Sequence, residues 1–75
     1  MSDFPMIATE RWLNQVFAAK AARNGGVVRR NLRDVEREVG LDWFRHEIRR
    51  RGFHAVENAG QIVVFCNNAP VRVLC

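Results

Sequence analysis

Apolar residues recur at helical spacing near the start of the chain, and they predict a first helix over residues 9–24. Thr9 is the expected N-cap, because its hydroxyl can accept a hydrogen bond from a free N–H group of the first turn. Gly25 follows the last helical position, where glycine commonly ends a helix. The preceding residues 1–8 are expected to be a loose lead-in. The apolar stripe of this helix consists of Leu13, Val16, Phe17 and Ala21.

A pair of shorter helices is predicted over residues 31–51. Asn31 can cap the first member of the pair, and Gly40 falls where a residue with positive φ is expected after its end. Asp42 is then the expected N-cap of the second member, residues 43–51. The apolar stripes of the two helices are Leu32, Val35 and Val39 in the first, and Leu41, Phe44 and Ile48 in the second.

Alternating apolar residues after Gly52 predict two strands, 53–57 and 61–66, joined by a three-residue loop with Gly60 in the left-handed region. A second turn over 67–70 leads to a third predicted strand, 71–74. Pairing of this strand with the second would place Cys66 opposite Val71, too far from Cys75 for a disulfide. Segment 27–30 is a candidate for a further edge strand.

These elements predict an α+β fold in one domain of 75 residues. Three helices precede a C-terminal antiparallel β-sheet of two to three strands, formed by residues 53–75. The expected core consists of Leu13, Val16, Phe17, Leu32, Val35, Val39, Phe44, Ile48, Phe53, Val64 and Val73.

The charge pattern adds a candidate chemistry to this fold. Lys20 is the one lysine among twelve basic residues, and eight of the eleven arginines lie within residues 29–51. Arginine suits bidentate contact with phosphate or carboxylate, although a GC-rich genome would enrich it equally. Five acidic residues share the segment, so a solvated face with local ion pairs is an equally good interpretation. The ion pairs expected in that case are Arg33–Glu36, Asp34–Arg37, Asp42–Arg45 and Glu38–Arg45.

The helix pair, the turn at Gly40 and the hairpin after Gly52 resemble a winged helix-turn-helix domain over about residues 9–66. The resemblance implies DNA binding and transcription regulation, with the second helix of the pair in the major groove and the hairpin as the wing. This chain has Glu36 where the family commonly has a small residue, and Arg51 where it commonly has an apolar one. The implied contact residues are Arg45, His46, Arg49 and Arg50, with Arg29 and Arg30 assisting at phosphates.

The segment 44–74 is also similar to the start of the HicA toxin family of small RNA-cleaving proteins. The similarity rests on the run 48–53, a strand, Gly60 and another strand, and it implies a helix followed by three strands. That family carries a Gly-Ser-His triplet whose histidine is catalytic. Here Ile62 occupies the position of the histidine, so the similarity does not extend to nuclease activity.

No residue set in the sequence forms a catalytic or metal-binding signature, and we expect neither an enzyme nor a bound cofactor or metal. His46 and His54 lack a nucleophile or an orienting acid at an informative spacing. Cys66 is expected to be a small buried apolar residue, and Cys75 an exposed thiol.

The absence of a long apolar run and of a signal-peptide pattern predicts a cytoplasmic protein with no membrane partner. The predicted function is that of a small non-enzymatic nucleic-acid-binding or regulatory protein that uses its arginine-rich helix. The alternative is a protein–protein interaction or homodimerisation module without a nucleic-acid role. In that case strand 71–74 and Trp43 would form the contact.

Overall fold

The computed structural model describes the backbone of residues 4–75 and the side chains of residues 8–75. Helices and strands follow in the order α1 (Phe4–Ala18), α2 (Lys20–Arg23), β1 (Val27–Asn31), α3 (Leu32–Glu38), α4 (Leu41–Arg50), β2 (His54–Asn58) and β3 (Gln61–Phe65).

The three strands form one antiparallel sheet in the order β1-β3-β2. Val28 pairs with Val64 of β3, and Val64 pairs on its other side with Ala55 of β2. The predicted α+β class is confirmed, and the order of elements is compatible with a winged-helix-like layout. The predicted edge strand at 27–30 is also confirmed, although it pairs with the second strand of the hairpin at the far end of the chain.

The core lies between the helices and one face of the sheet. Because side chains alternate along a strand, β3 buries Ile62 and Val64 while its other residues stay partly or fully exposed. Phe44 of α4 is completely buried at the centre, as is Val35 of α3. The remaining buried apolar residues are Leu13, Val16, Ala22, Val28, Ile48 and Cys66. The predicted core residues Phe17, Leu32, Val39 and Phe53 are partly buried and pack against this cluster.

The first helix begins earlier than its sequence pattern predicts, and it is not continuous over 9–24. Helix α1 ends at Ala18 and the separate α2 covers Lys20–Arg23, so the described part of the chain has four helices instead of three. Residues 4–8, expected to be a loose lead-in, are helical, and residues 1–3 lie outside the described residues. Pro5 does not prevent this, since a proline in the first turn lacks an N–H that would have no helical partner there. Thr9 is therefore not an N-cap. Its hydroxyl lies 3.2 Å from the Glu38 carbonyl oxygen and donates to it, which ties α1 to the end of α3.

The turn between α3 and α4 agrees with its prediction except at Asp42. The Asn31 side chain accepts a hydrogen bond from the Arg33 N–H at 2.8 Å, which confirms it as the N-cap of α3. Gly40 has a φ of 94° and donates its N–H to the Val35 carbonyl, as expected of a glycine that ends a helix. Asp42 lies inside the first turn of α4 instead of capping it, because the helix already begins at Leu41.

The predicted strand 71–74 and the predicted core position Val73 are wrong. Residues 66–75 form no strand, and Val73 and Leu74 are 82% and 80% exposed. The physical reason is that β1 already occupies the edge of β3 that this strand would have used. Without that strand, the sheet has no counterpart to the third strand implied by the similarity to the HicA family.

The hairpin between β2 and β3 closes with a two-residue loop instead of the predicted three-residue loop. Asn58 pairs directly with Gln61, and both Ala59 and Gly60 have positive φ, 51° and 78°. Positive φ at both positions is characteristic of a type I′ turn, whose twist matches that of the flanking strands. Glycine suits this conformation, whereas the Cβ of alanine is strained in it.

Replacing Ala59 with asparagine should therefore stabilise the protein. Asparagine tolerates the left-handed region, and Asn-Gly is a preferred type I′ pair, so we expect a gain of about 0.5–1 kcal/mol in the free energy of unfolding. Urea denaturation followed by circular dichroism would measure it. Ala69→Asn, at an exposed position without positive φ, is the control and should change little. Equal effects of the two substitutions would contradict the assigned turn.

Candidate nucleic-acid interface

Helix α4 presents two chemically distinct sides. Phe44 and Ile48 are buried against the sheet, and one turn apart on an adjoining side Arg45 and Arg49 are exposed. The spacing of four residues places the two arginines one above the other along the helix. The side chain of Arg45 is 61% exposed, and its acidic neighbour is the fully exposed Asp42 at 4.0 Å. At that separation an exposed ion pair contributes little, so Arg45 is available for another anion.

An open groove lies between α4 and β2, beside these two arginines. Arg45 and Arg49 line it from the helix, and His54 and Ala55 line it from the strand. Ala55 is exposed although its register places it on the helix-facing side of the sheet, since its short side chain does not fill the space. Three side chains that can carry positive charge therefore border one concave surface.

The opposite side of α4 is organised around the buried carboxylate of Glu47. Its Oε1 accepts hydrogen bonds from Arg50 at 2.9 Å and from Arg51 at 2.5 Å. The pKa of the Glu47 carboxyl is lowered below its ordinary value, mainly by the hydrogen bond from Arg50 and further by Arg51. Burial acts in the opposite direction but does not cancel this effect. The Arg51 guanidinium also stacks 4.2 Å above the Phe17 ring. Arg50 and Arg51 thus have a structural partner that Arg45 and Arg49 lack.

Trp43 and His46 lie on the outer side of α4, with ring centroids 5.6 Å apart. Trp43 is 40% exposed, and His46 is exposed. Trp43 therefore lies off the side of α4 that faces the core. These two rings form a small aromatic surface next to Arg50, at the side of the helix away from β2.

The structure does not bring Arg29 and Arg30 together with the arginines of α4. Both lie on β1, which is separated from β2 by the intervening strand β3, or about 10 Å. Arg29 is exposed, and Arg30 is partly buried with its Nη1 donating to the Arg29 carbonyl at 2.6 Å. Phosphate contacts by these two residues would require a ligand that reaches across the sheet.

Some of the arginines form the local ion pairs expected of a solvated face. Arg37 contacts Asp34 at 2.9 Å and Glu38 at 3.2 Å, and the Asp42–Arg45 pair is also present. Of the other expected pairs, neither Arg33–Glu36 nor Glu38–Arg45 is present among the described side chains. Local ion pairs are thus present on both helices, through Arg37 on α3 and through Arg50 on α4, whereas Arg45 has only the loose contact with Asp42 within residues 8–75.

Two residues of this region were not recognised for their roles in the sequence. The spacing of Glu47 allows ion pairs with Arg50 and Arg51 on a helix, but it does not show that the carboxylate is buried between them. The sequence suggested only proton transfer as a role for His54. Its position beside Arg45 and Arg49 depends on how β2 packs against α4, which the local sequence does not show. The available signal for Glu47 was its spacing of three and four residues from Arg50 and Arg51, and the sequence held no comparable signal for His54.

The thiols behave as their positions predict. Cys66 is buried, which raises the pKa of its thiol, and Cys75 is exposed. Among residues 8–75, no group of three His, Cys, Asp or Glu side chains lies close enough together to hold a metal ion. No helix in the described part of the chain is long and apolar enough to cross a membrane.

Comparisons of the chain with protein-family models, with curated proteins and with solved structures found no match.

Proposed function

We propose that the protein binds nucleic acid through the side of α4 that carries Arg45 and Arg49. The observation behind this proposal is that both guanidinium groups are exposed one turn apart and border the open groove next to β2. Their one close acidic contact among the described side chains is the loose pair with Asp42 at 4.0 Å. The other exposed arginine of the helix, Arg50, is held by Glu47 at 2.9 Å.

The geometry suits duplex DNA in particular. An α-helix fits the major groove, and an arginine one turn away from another can contact successive base edges or phosphates along it. His54, on the strand side of the groove, would add positive charge whenever its imidazole is protonated. The wing turn at Ala59 and Gly60 has no basic side chain, so phosphate contacts would come mainly from α4.

Arginine-to-alanine substitution of positions 45 and 49 together should weaken binding to a labelled random-sequence duplex. Removal of each phosphate contact should flatten the dependence of log K on log salt by about one unit, so the slope of the double variant should be flatter by about two. Fluorescence anisotropy from low to physiological salt, with reducing agent to protect Cys75, would measure this.

The matched control for this experiment is the double variant Arg11→Ala and Arg23→Ala. It removes the same charge from exposed positions of α1 and α2. Retention of the wild-type salt slope in the control, together with a flatter slope in the α4 variant, is the expected pattern. Identical slopes for the two variants would show that binding follows net charge alone and would overturn the assignment to α4.

The alternative function, an interaction module without nucleic acid, is supported by the exposed Trp43 beside His46. Tryptophan is enriched at the centres of protein interfaces, where its large ring is buried by a partner. Failure of the wild-type protein to bind the duplex even at low salt would favour this alternative.

A further inference from the structure

The outer edge of β2 is an unpaired sheet edge. The Cys66 N–H donates to the Gly26 carbonyl and the Leu32 N–H donates to the Gly60 carbonyl, so the even-numbered residues of β3 bond to β1. The odd-numbered residues of β3 therefore bond to β2, because backbone groups alternate between the two sides of a central strand. By the same alternation, the N–H and C=O groups of Ala55 and Glu57 point away from the sheet. All five residues of β2 are exposed.

The other sheet edge is less accessible. Along β1, the outward carbonyl of Arg29 already accepts a hydrogen bond from the Arg30 side chain. The strand also passes without a break into α3, whose N-cap is the last strand residue, Asn31. An added strand would thus find consecutive free backbone groups at β2 and not at β1.

The segment 71–75 has the sequence of a strand but no strand partner within the described part of the chain. Val71 is 43% exposed, Val73 82% and Leu74 80%, an unusual exposure for neighbouring apolar positions. β-branched residues at alternate positions favour an extended conformation. The chain that leads into this segment is held at Asn67, whose side-chain amide donates a hydrogen bond to the Gly25 carbonyl at 3.0 Å.

We propose that residues 71–75 of one copy of this chain add as an antiparallel strand to the outer edge of β2 in a second copy. One register matches both charge and apolarity. It places Arg72 opposite Glu57 and Val73 opposite Val56, which is itself 44% exposed. Leu74 then lies opposite Ala55, on the helix-facing side.

The helix-facing side of this register is apolar where Leu74 would lie. Between α4 and β2, next to Ala55, an open and mostly apolar groove is available to a leucine side chain. Its lining is mostly apolar, with Leu41, Phe44, Ile48 and Ile62, but it also includes Glu57 and Arg45, so it adjoins the groove that Arg45 and Arg49 border. Opposite-charge and apolar cross-strand pairs each stabilise a sheet, and an unpaired edge is a template for such pairing.

A second copy is required because the chain cannot make this register with its own β2. Phe65 pairs with His54, so the chain leaves the sheet where β2 begins and would run parallel to β2 along its edge. An antiparallel register has to begin at Asn58, at the far end of the strand. The four residue steps from Asn67 to Val71 span at most about 14 Å, less than the combined length of β2 and the width of two strands.

Charge exchange across the proposed pair is the direct test. Sedimentation equilibrium of the reduced protein without nucleic acid should show a dimer whose Kd rises about tenfold or more in Glu57→Arg and in Arg72→Glu, since like charges then face each other. An equimolar mixture of the two variants should regain dimer affinity, because both contacts in the mixed dimer then join opposite charges, one in the native order and one in exchanged order. Glu36→Arg, on exposed α3, is the control and should leave the Kd unchanged.

Proline substitutions test the strand geometry independently of charge. In this register the N–H groups of Arg72 and Leu74 face β2, whereas that of Val73 faces outward. Leu74→Pro should therefore abolish the dimer, and Val73→Pro should weaken it much less. A wild-type protein that remains monomeric at the highest soluble concentration would overturn the proposal. It would also be overturned by a mixture of charge variants that stays dissociated, or by equal effects of the two prolines.

Discussion

Replacing Phe44 with alanine is expected to destabilise the protein by about 3–5 kcal/mol, the largest effect of any single substitution considered. Phe44 is completely buried, and its ring lies 6.1 Å from those of both Trp12 and Phe17. Alanine would remove most of the side chain and leave a cavity that the surrounding helices and sheet cannot fully close. Because a small domain has only about 5–15 kcal/mol of stability, a large part of it would be lost.

Urea denaturation monitored by circular dichroism would measure the Phe44 effect, and the neighbouring Trp43→Ala is the matched control. Trp43 is as large and lies on the same helix, but it is 40% exposed and its ring contacts His46 instead of the core. The control should cost far less than the Phe44 substitution. A comparable destabilisation in both variants would show that α4 turns a different side toward the sheet.

Replacing Glu47 with alanine is expected to destabilise the protein by about 2 kcal/mol, an unusually large effect for an acidic residue on a helix. The carboxylate accepts hydrogen bonds from both Arg50 and Arg51, and its side chain is only 11% exposed. Its removal leaves the Arg51 guanidinium, 22% exposed and stacked on Phe17, without its counter-charge. Glu36→Ala, at an exposed position of α3, is the control and should cost little.

The Glu47 effect should also depend on pH in a defined direction. The two arginines lower the pKa of the Glu47 carboxyl in the folded protein below its ordinary value of 4.5. A carboxylate with a lowered folded-state pKa stabilises the protein fully above the unfolded pKa, and this stabilisation is lost as the pH falls through the folded pKa. The difference in unfolding free energy between wild type and Glu47→Ala should therefore shrink below about pH 4.5. A constant difference down to about pH 3 would contradict the role assigned to the carboxylate.

The local sequence predicted the helix pair and the hairpin well because the signals for them are close together in the chain. Asn31 caps α3 by bonding a backbone N–H two residues away, and Gly40 ends it through a bond to Val35. The burial of Phe44 and Ile48 follows from their spacing of four residues. Each of these features depends on a few neighbouring residues and on little else.

The errors in prediction occur where a distant part of the chain decides the outcome. Threonine is favoured at helix N-caps, but the Thr9 hydroxyl donates a hydrogen bond to the backbone carbonyl of Glu38, 29 residues later. The segment 71–74 has the alternation of a strand, but β1 takes the place beside β3. Local propensity cannot reveal such competition, because it carries no information about which other strand is already paired.

For the candidate interface, too, some features followed from the local sequence and others only from the packing of the chain. The sequence alone identified Arg45, Arg49 and Arg50 as outward-facing residues of one amphipathic helix, since helical periodicity fixes which side chains share a face. Only the tertiary structure separated Arg50, which is bound by Glu47, from the two arginines that border the groove next to His54. It also placed Arg29 on the far side of the sheet from β2.

The sequence by itself determined the α+β class, the helix pair, the hairpin and the positively charged side of α4, because hydrophobic periodicity, capping residues and glycine positions act over one or two turns of chain. The tertiary structure alone decided that β1 completes the sheet, that Glu47 is buried between two arginines and that residues 71–75 are left outside the sheet. These outcomes depend on which distant segments compete for the same edge or the same buried charge, and that competition is settled only when the chain packs.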